Sequence, residues 1–238
     1  MKRKIKKIIR QAKESIREML KSVYSYNSLF VKTKEQEKLL ERILFAMSVI
    51  DRKFFIEENS YLDTALSIGE GQTISQPSTV ARMLLLAELQ EGDNVLEIGT
   101  GSGWNASLIA FLVYPGNVVS IERFTSLKEK AEENIKNLKI NLKKEKTEKL
   151  NNIRFYAENI FSRKNAWKKK YDKIIITAGI FSEEQERDIE NLATNLLKEG
   201  GMLICPRTSG PLLIIRKKVK LAKENTKEEY VFVPLLEH

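Results

Sequence analysis

Asn94-Val95-Leu96-Glu97-Ile98-Gly99-Thr100-Gly101-Ser102-Gly103 is an apolar run that ends in alternating glycines and passes into the helical pattern Trp104 to Val113. Glycines there let backbone approach a ligand at the carboxyl end of a strand, which is where open α/β sheets bind. A dinucleotide fingerprint sets its third glycine three positions after the second, to seat the helix on the sheet. Trp104 holds that position in this chain. Gly99-x-Gly101-x-Gly103 before a bulky residue suits a nucleoside better than a pyrophosphate. Glu122 closes the next apolar run, where a carboxylate can accept both hydroxyls of a ribose. The pair points to a nucleoside cofactor.

Histidine chemistry is excluded. The only histidine is His238, in Leu236-Glu237-His238, which reads as a purification-tag remnant. Neither Ser-His-Asp nor Cys-His catalysis nor a histidine-ligated metal follows from such a composition, and a lone Cys205 excludes an intrachain disulfide or a cysteine-cluster zinc site. No metal is expected, and the reaction should need little proton transfer or take it from carboxylates or lysines. Other polar positions carry plain structural readings. Ser75-Gln76-Pro77-Ser78 precedes the apolar run Val80 to Leu89, so spacing alone makes Ser75 a helix cap. Glu97 can be a strand-end acid bonding turn amides, and Asp172 opens a strand and reads as structural. Trp104 and Trp167 can stack on bases, yet core or lid packing is the commoner use, and Cys205 sits in an apolar strand as a small core residue.

These residues need a scaffold. The chain of 238 residues is 42% hydrophobic and 31% charged, enough for one buried core with an appendage. No apolar run approaches the ~20 residues of a bilayer span, and no signal-peptide pattern follows the basic start, so a cytoplasmic protein is expected. Short apolar runs at Asn94 to Ile98, Asn117 to Ile121, Asn152 to Tyr156, Lys173 to Thr177, Met202 to Cys205, Leu212 to Ile215 and Tyr230 to Val233 predict seven strands. Helical patterns fit between them at Trp104 to Val113, Ser126 to Leu138 and Glu183 to Lys198, while no helix separates the last two runs. The expected fold is α/β: a Rossmann-like, seven-stranded, mostly parallel sheet with helices on both faces and an antiparallel C-terminal edge. Ile5, Ile8, Ile9, Ala12, Ile16, Met19, Leu20 and Val23 predict one amphipathic helix, and Lys34 to Val49 a second. Neither closes a core alone, so residues 1–60 are read as a helical appendage, 61–235 as the cofactor domain and 236–238 as the tag remnant. Lys139 to Lys149, polar and lysine-rich, is an exposed loop or a helix extension.

Lysine and arginine number 41 against 32 acids, a formal charge of +9. The excess gathers at Met1 to Lys13, Lys168 to Lys170 and Arg216 to Lys223. Such runs can meet the phosphates of nucleic acid, but they are more often solvated faces.

The residues resemble a family, the protein-L-isoaspartate O-methyltransferases among the class I S-adenosylmethionine-dependent methyltransferases. The resemblance rests on Ser67 to Pro77 with its Gly-Gln-Thr-Ile-Ser stretch, Val95 to Trp104, Tyr171 to Ala178, Gly200 to Leu203 and Phe232 to Leu235. It implies S-adenosyl-L-methionine as cofactor and methyl transfer to isoaspartyl carboxylates of damaged proteins or peptides. It further implies that Gln72, Glu97, Gly99, Thr100, Gly101, Ser102, Glu122, Arg123, Glu158, Asn159 and Thr177 bind the cofactor. In that scheme Glu122 takes the ribose, Glu158 and Asn159 flank the adenine, and Thr73 and Ser75 are the catalytic residues, facing the transferred methyl and the substrate carboxylate, with Ser75 as the family's active-site residue. The family usually has Gly-Asp-Gly where this chain has Ala157-Glu158-Asn159, and both the basic first helix and Lys139 to Lys149 go beyond its pattern. RNA methylation on the same cofactor fold, or cofactor binding with a diverged substrate, are the alternatives. A monomer is expected.

Overall fold

The computed structural model describes residues 2–161 and 169–236. The helical first part comprises α1 (Lys2–Gln11), α2 (Glu14–Asn27) and α3 (Lys34–Val49), and a short hairpin of β1 (Leu66–Gly69) and β2 (Gln72–Ile74) leads into α4 (Pro77–Leu86). The alternating part follows as β3 (Val95–Ile98), α5 (Trp104–Val113), β4 (Val118–Glu122), α6 (Thr125–Ile140), α7 (Lys144–Glu148) and β5 (Ile153–Ala157). It ends with β6 (Tyr171–Ile176), α8 (Glu183–Leu196), β7 (Leu197–Cys205), β8 (Ser209–Lys217) and β9 (Leu221–Val231).

Seven strands form one sheet in the order β5-β4-β3-β6-β7-β8-β9. The first five pair in parallel, Val95 opposite Val118 on one side and Lys173 on the other, while β7, β8 and β9 pair antiparallel. The predicted seven-stranded sheet with its antiparallel edge is thus present, and its order reverses beside β3, the place where such sheets bind ligands. Alternation assigns the faces. Val95, Val118, Ile175 and Ile204 point into a core shared with helices α2 to α6. Leu96, Ile98, Ile174, Ile176 and Leu203 point into a second core closed by Ile189, Leu192 and Ala193 of α8. Cys205 lies fully buried in that second core, as its apolar strand implied.

Three features differ from the sequence reading. The last strand, expected at Tyr230 to Val233, runs from Leu221 to Val231, because most of it is polar and exposed at the sheet edge and pairs with β8 without an apolar run to mark it. The single N-terminal helix is two, because Lys13 adopts an extended ψ of 144° between α1 and α2. Lys13 Nζ reaches Asp51 at 3.2 Å, and Arg17 Nε donates to the freed carbonyl of Ala12 at 3.1 Å, so the break is held by side chains. The β1–β2 hairpin was not predicted, since its strands are too short to show alternation. Its turn, Gly69-Glu70-Gly71, has positive φ throughout. Lys139 to Lys149 forms the end of α6 and the short α7, whose neighbour Lys149 lies 4.9 Å from the ring centroid of Phe111.

Candidate active site

At the carboxyl end of β3 the chain turns through Gly99, Gly101 and Gly103, all at positive φ. Two of these glycines are obligatory for packing. A Cβ on Gly99 would lie 2.2 Å from Thr177 Oγ1, and one on Gly103 would lie 2.9 Å from Ala131 Cβ of α6. Thr177, just past β6, donates to the Gly99 carbonyl at 2.6 Å and lies 3.1 Å from that of Ile98, so it clamps the turn. Glu122 at the end of β4 clamps it from the other side. Its Oε2 accepts from Gly101 N at 2.8 Å and its Oε1 from Phe124 N at 3.1 Å. Each carboxylate oxygen retains a second acceptor direction, so these bonds leave capacity for ribose hydroxyls.

One crevice joins the turn to the opposite wall. Gly99, Thr100, Gly101, Ser102, Glu122, Arg123, Glu158, Asn159 and Thr177 line it, together with Gln72, Thr73 and Ser75 at the end of the hairpin. Among the predicted residues Glu97 alone is not part of the lining. It is fully buried one layer below, where Oε1 accepts from Asn105 Nδ2 at 2.8 Å and Oε2 from Ser120 Oγ at 2.5 Å. Ser120 Oγ in turn lies 2.6 Å from Thr100 Oγ1 of the turn. Burial pushes the Glu97 carboxyl up to about 8, against the pull of these hydrogen bonds. Glu158 donates its amide to the Glu122 carbonyl at 2.8 Å, and Asn159 Oδ1 accepts from Phe161 N at 2.9 Å, which shapes the rim where the Ala157-Glu158-Asn159 segment departs from the family pattern. The Nη1 of Arg123 is buried without a hydrogen-bond partner among the described residues.

Ser75 is not a helix cap. Pro77 occupies the first turn of α4, Gln76 is the capping position, and no side chain there bonds the helix. Asp63 takes that work, its Oδ1 accepting from Ser78 N at 2.8 Å and its Oδ2 from Ser78 Oγ at 2.5 Å. The half-buried Ser75 hydroxyl makes no hydrogen bond among the described residues and opens to the crevice. Trp104 is a packing residue: it is 1% exposed and donates Nε1 to the Ile50 carbonyl at 3.1 Å. Trp167 and Glu237-His238 lie outside the described residues. Asp172 accepts from Asn94 N at 2.8 Å and Lys198 Nζ at 2.7 Å, in keeping with its structural reading.

Sequence reasoning missed three contributors. Val233 to Leu236 form part of the wall, held by Gly179 N to Val233 O at 2.7 Å, Leu235 N to Gly179 O at 2.8 Å and Gln185 Nε2 to Leu235 O at 2.9 Å. Asp63 and the buried Arg52 carried no local signal beyond being charges beside apolar residues.

A parallel sheet whose order reverses at a glycine turn, with a strand-end carboxylate beside it, suits a nucleoside cofactor, and the class of protein that the resemblance implies, a methyltransferase dependent on S-adenosylmethionine, fits that site. Residues 24–238 match the family described as protein-L-isoaspartate(D-aspartate) O-methyltransferase, and the chain belongs to that family. A protein-L-isoaspartate O-methyltransferase of Ignicoccus hospitalis is 34% identical over 238 residues, covering 94% of this chain and 98% of its own. One of Aliivibrio salmonicida is 38% identical over 211 residues, covering 85% and 91%. Among solved structures, a protein-L-isoaspartate O-methyltransferase of Plasmodium falciparum in complex with S-adenosyl-L-homocysteine superposes with a TM-score of 0.73 at 25% identity, over 95% of this chain and 100% of that one.

Proposed function

We propose that the chain methylates the free carboxylate of L-isoaspartyl residues in damaged proteins or peptides, with Ser75 orienting the acceptor. When bound, S-adenosylmethionine supplies a methyl carbon on a sulfonium, which a carboxylate oxygen takes in one in-line displacement that leaves both products neutral. The acceptor is already ionised at neutral pH, so the chain needs no general base, and the shortage of histidine ceases to be a puzzle. Its residues have to bind, aim and dry the reactants, which can contribute up to ~7 to 11 kcal/mol. Gly99, Thr100, Gly101 and Ser102, with Gln72 and Thr177, would hold the methionine portion of the cofactor. Glu122 would accept the ribose hydroxyls with Arg123 beside it, and Glu158 and Asn159 would border the adenine. Glu97 acts through Ser120 on the turn. Ser75 donates its hydroxyl to the acceptor carboxylate, and Thr73 flanks the methyl. Among the described residues no side chain hydrogen-bonds the Ser75 hydroxyl to activate it as a nucleophile.

The observation that carries this reading is a serine hydroxyl released from capping by Asp63 and exposed in the same crevice as the clamped glycine turn. The product, a methyl ester, has a better leaving group than the acid, so ring closure to a succinimide and hydrolysis return some normal aspartate. We assign residues 1–60 to a helical part and 61–235 to the cofactor domain, and the protein to the cytoplasm as a monomer. Among the described residues no helix is long and apolar enough to cross a membrane. Tritiated methyl transfer to an isoaspartyl peptide beside its aspartyl twin tests the activity: base-labile label on the isoaspartyl peptide alone is expected. Equal labelling of both, or label stable to base and found in RNA, rejects it.

A further inference from the structure

Arg52 is an arginine with no exposed surface, outside the lining of the crevice and against two residues that belong to it, Ser75 and Trp104. Its Nη1 donates to the carbonyls of Ser60 at 2.8 Å and Leu62 at 3.3 Å, and its Nη2 to those of Thr64 and Ser75, each at 3.2 Å. The guanidinium carbon lies 5.2 Å from the ring centroid of Trp104, the residue that follows the glycine turn. One planar cation thus touches the acceptor wall through the Ser75 carbonyl and the cofactor wall through the indole. Its Nε has no hydrogen-bond partner among the described residues. Burial lowers its proton affinity to about 10, with the charge of Asp63 opposing the fall. A buried, incompletely bonded cation is weak evidence for stability, since apolar residues of the same volume often do as well. Geometry is what this group supplies and an apolar one does not.

We infer that Arg52 is a positioning residue for methyl transfer, fixing the Ser75 peptide plane against Trp104 and so setting where the Ser75 hydroxyl stands relative to the cofactor turn. The inference rests on the assignment of Ser75 as the acceptor-orienting group. Freed from the guanidinium, the Ser75 carbonyl can rotate and carry its side chain with it, and a displacement of about 1 Å at such a site costs about a hundredfold in rate. Lysine at this position keeps the charge but not the planar fork that reaches several carbonyls at once.

A double-mutant cycle on the full-length chain tests this, with kcat and KM for an isoaspartyl peptide read alongside calorimetric binding of S-adenosylhomocysteine. Arg52→Lys should lower kcat by about tenfold or more with KM and product affinity changed less than about threefold, the split expected when alignment and not binding is lost. In a Ser75→Ala background the same replacement should cost less than about twofold, because the group it aims is gone. An equal loss in both backgrounds overturns the inference and leaves the role of Ser75 standing. No effect of Ser75→Ala by itself removes that role, and this inference with it. Arg52→Gln, which keeps two N–H donors without a buried charge, provides the second variant; should both variants fail to bind S-adenosylhomocysteine, Arg52 is a fold determinant and the positioning role is rejected.

Discussion

Replacing Glu97 by glutamine separates the protonated from the ionised form of the acid beneath the turn. In the folded chain burial holds this carboxyl up at about 8. In the unfolded chain it ionises near ~4.3. Between the two values the native state keeps a proton that the unfolded state has released, so this group lowers stability as pH rises, by about 1.4 kcal/mol per pH unit. The loss is complete above about 8 and absent below the unfolded value. Glutamine carries no charge at any pH, and the surroundings accept it. Its Nε2 can donate to Ser120 Oγ while Ser120 turns its proton toward Thr100, and its oxygen can still accept from Asn105. Urea unfolding followed by tryptophan fluorescence at a series of pH values gives the comparison. The stability of Glu97→Gln relative to the parent should improve by about 2.7 kcal/mol between about pH 5.5 and about pH 7.5. Parallel pH profiles for the two proteins would show that the buried carboxyl is ionised throughout, and would refute the account of its burial.

Gly99→Ala forces Thr177 from its place, since the new Cβ would stand 2.2 Å from Oγ1 at a backbone φ of +97°. Strain of about 1–2 kcal/mol and two displaced hydrogen bonds of about 1 kcal/mol each predict about 3–4 kcal/mol of destabilisation, and an unchanged melting temperature would contradict it. Glu122→Gln sets an amide N–H against the Gly101 or Phe124 amide, which should weaken S-adenosylhomocysteine binding by about tenfold or more in calorimetry while kcat at saturating cofactor changes little. Ile16→Ala opens a cavity in the core that α2 shares with α4 and α5, at about 2–5 kcal/mol. One cooperative transition shifted as a whole is expected, and a separate early transition would mark residues 1–60 as an independent unit.

Legibility in the sequence followed the range of the interactions. The limits of α3 and α5 were readable because the apolar stripe of the one and the glycine turn that opens the other are local. The inner strands were readable as apolar runs because helices cover both faces, whereas β9, charged and exposed along most of its length, showed only its last residues in the run Tyr230 to Val233. Ser75 shows where local reading fails: a serine near a proline suggests a cap, yet proline in the first turn makes Gln76 the capping position and leaves Ser75 one residue outside. The side chain that does bond the start of α4, Asp63, lies 15 residues upstream of its partner Ser78, and the Arg52 bond to Ser75 spans 23, separations that no spacing rule covers. Glu97 was placed on the cofactor by the family resemblance, while its position alone allowed a strand-end acid bonding turn amides. Strand alternation instead points it beneath α5, where only Asn105 and Ser120 reach it.

The polar groups around the crevice share one use. Thr177 bonds the carbonyls of the turn, Glu122 bonds its amides, Asp63 bonds the start of α4, and Arg52 bonds carbonyls on the acceptor wall. Each bonds backbone, and among the described residues the hydroxyls of Thr73 and Ser75 in the same crevice are left free of such duty. That distribution is what a displacement between two charged reactants requires, because the nucleophile arrives ionised and the leaving group departs neutral, so no proton has to be held or moved. Rate then depends on the distance and angle between two walls, and those are set by backbone. A chain whose single histidine lies at its last position can therefore carry this chemistry, provided that buried charges are arranged to fix carbonyls and amides and are not consumed in binding the substrate.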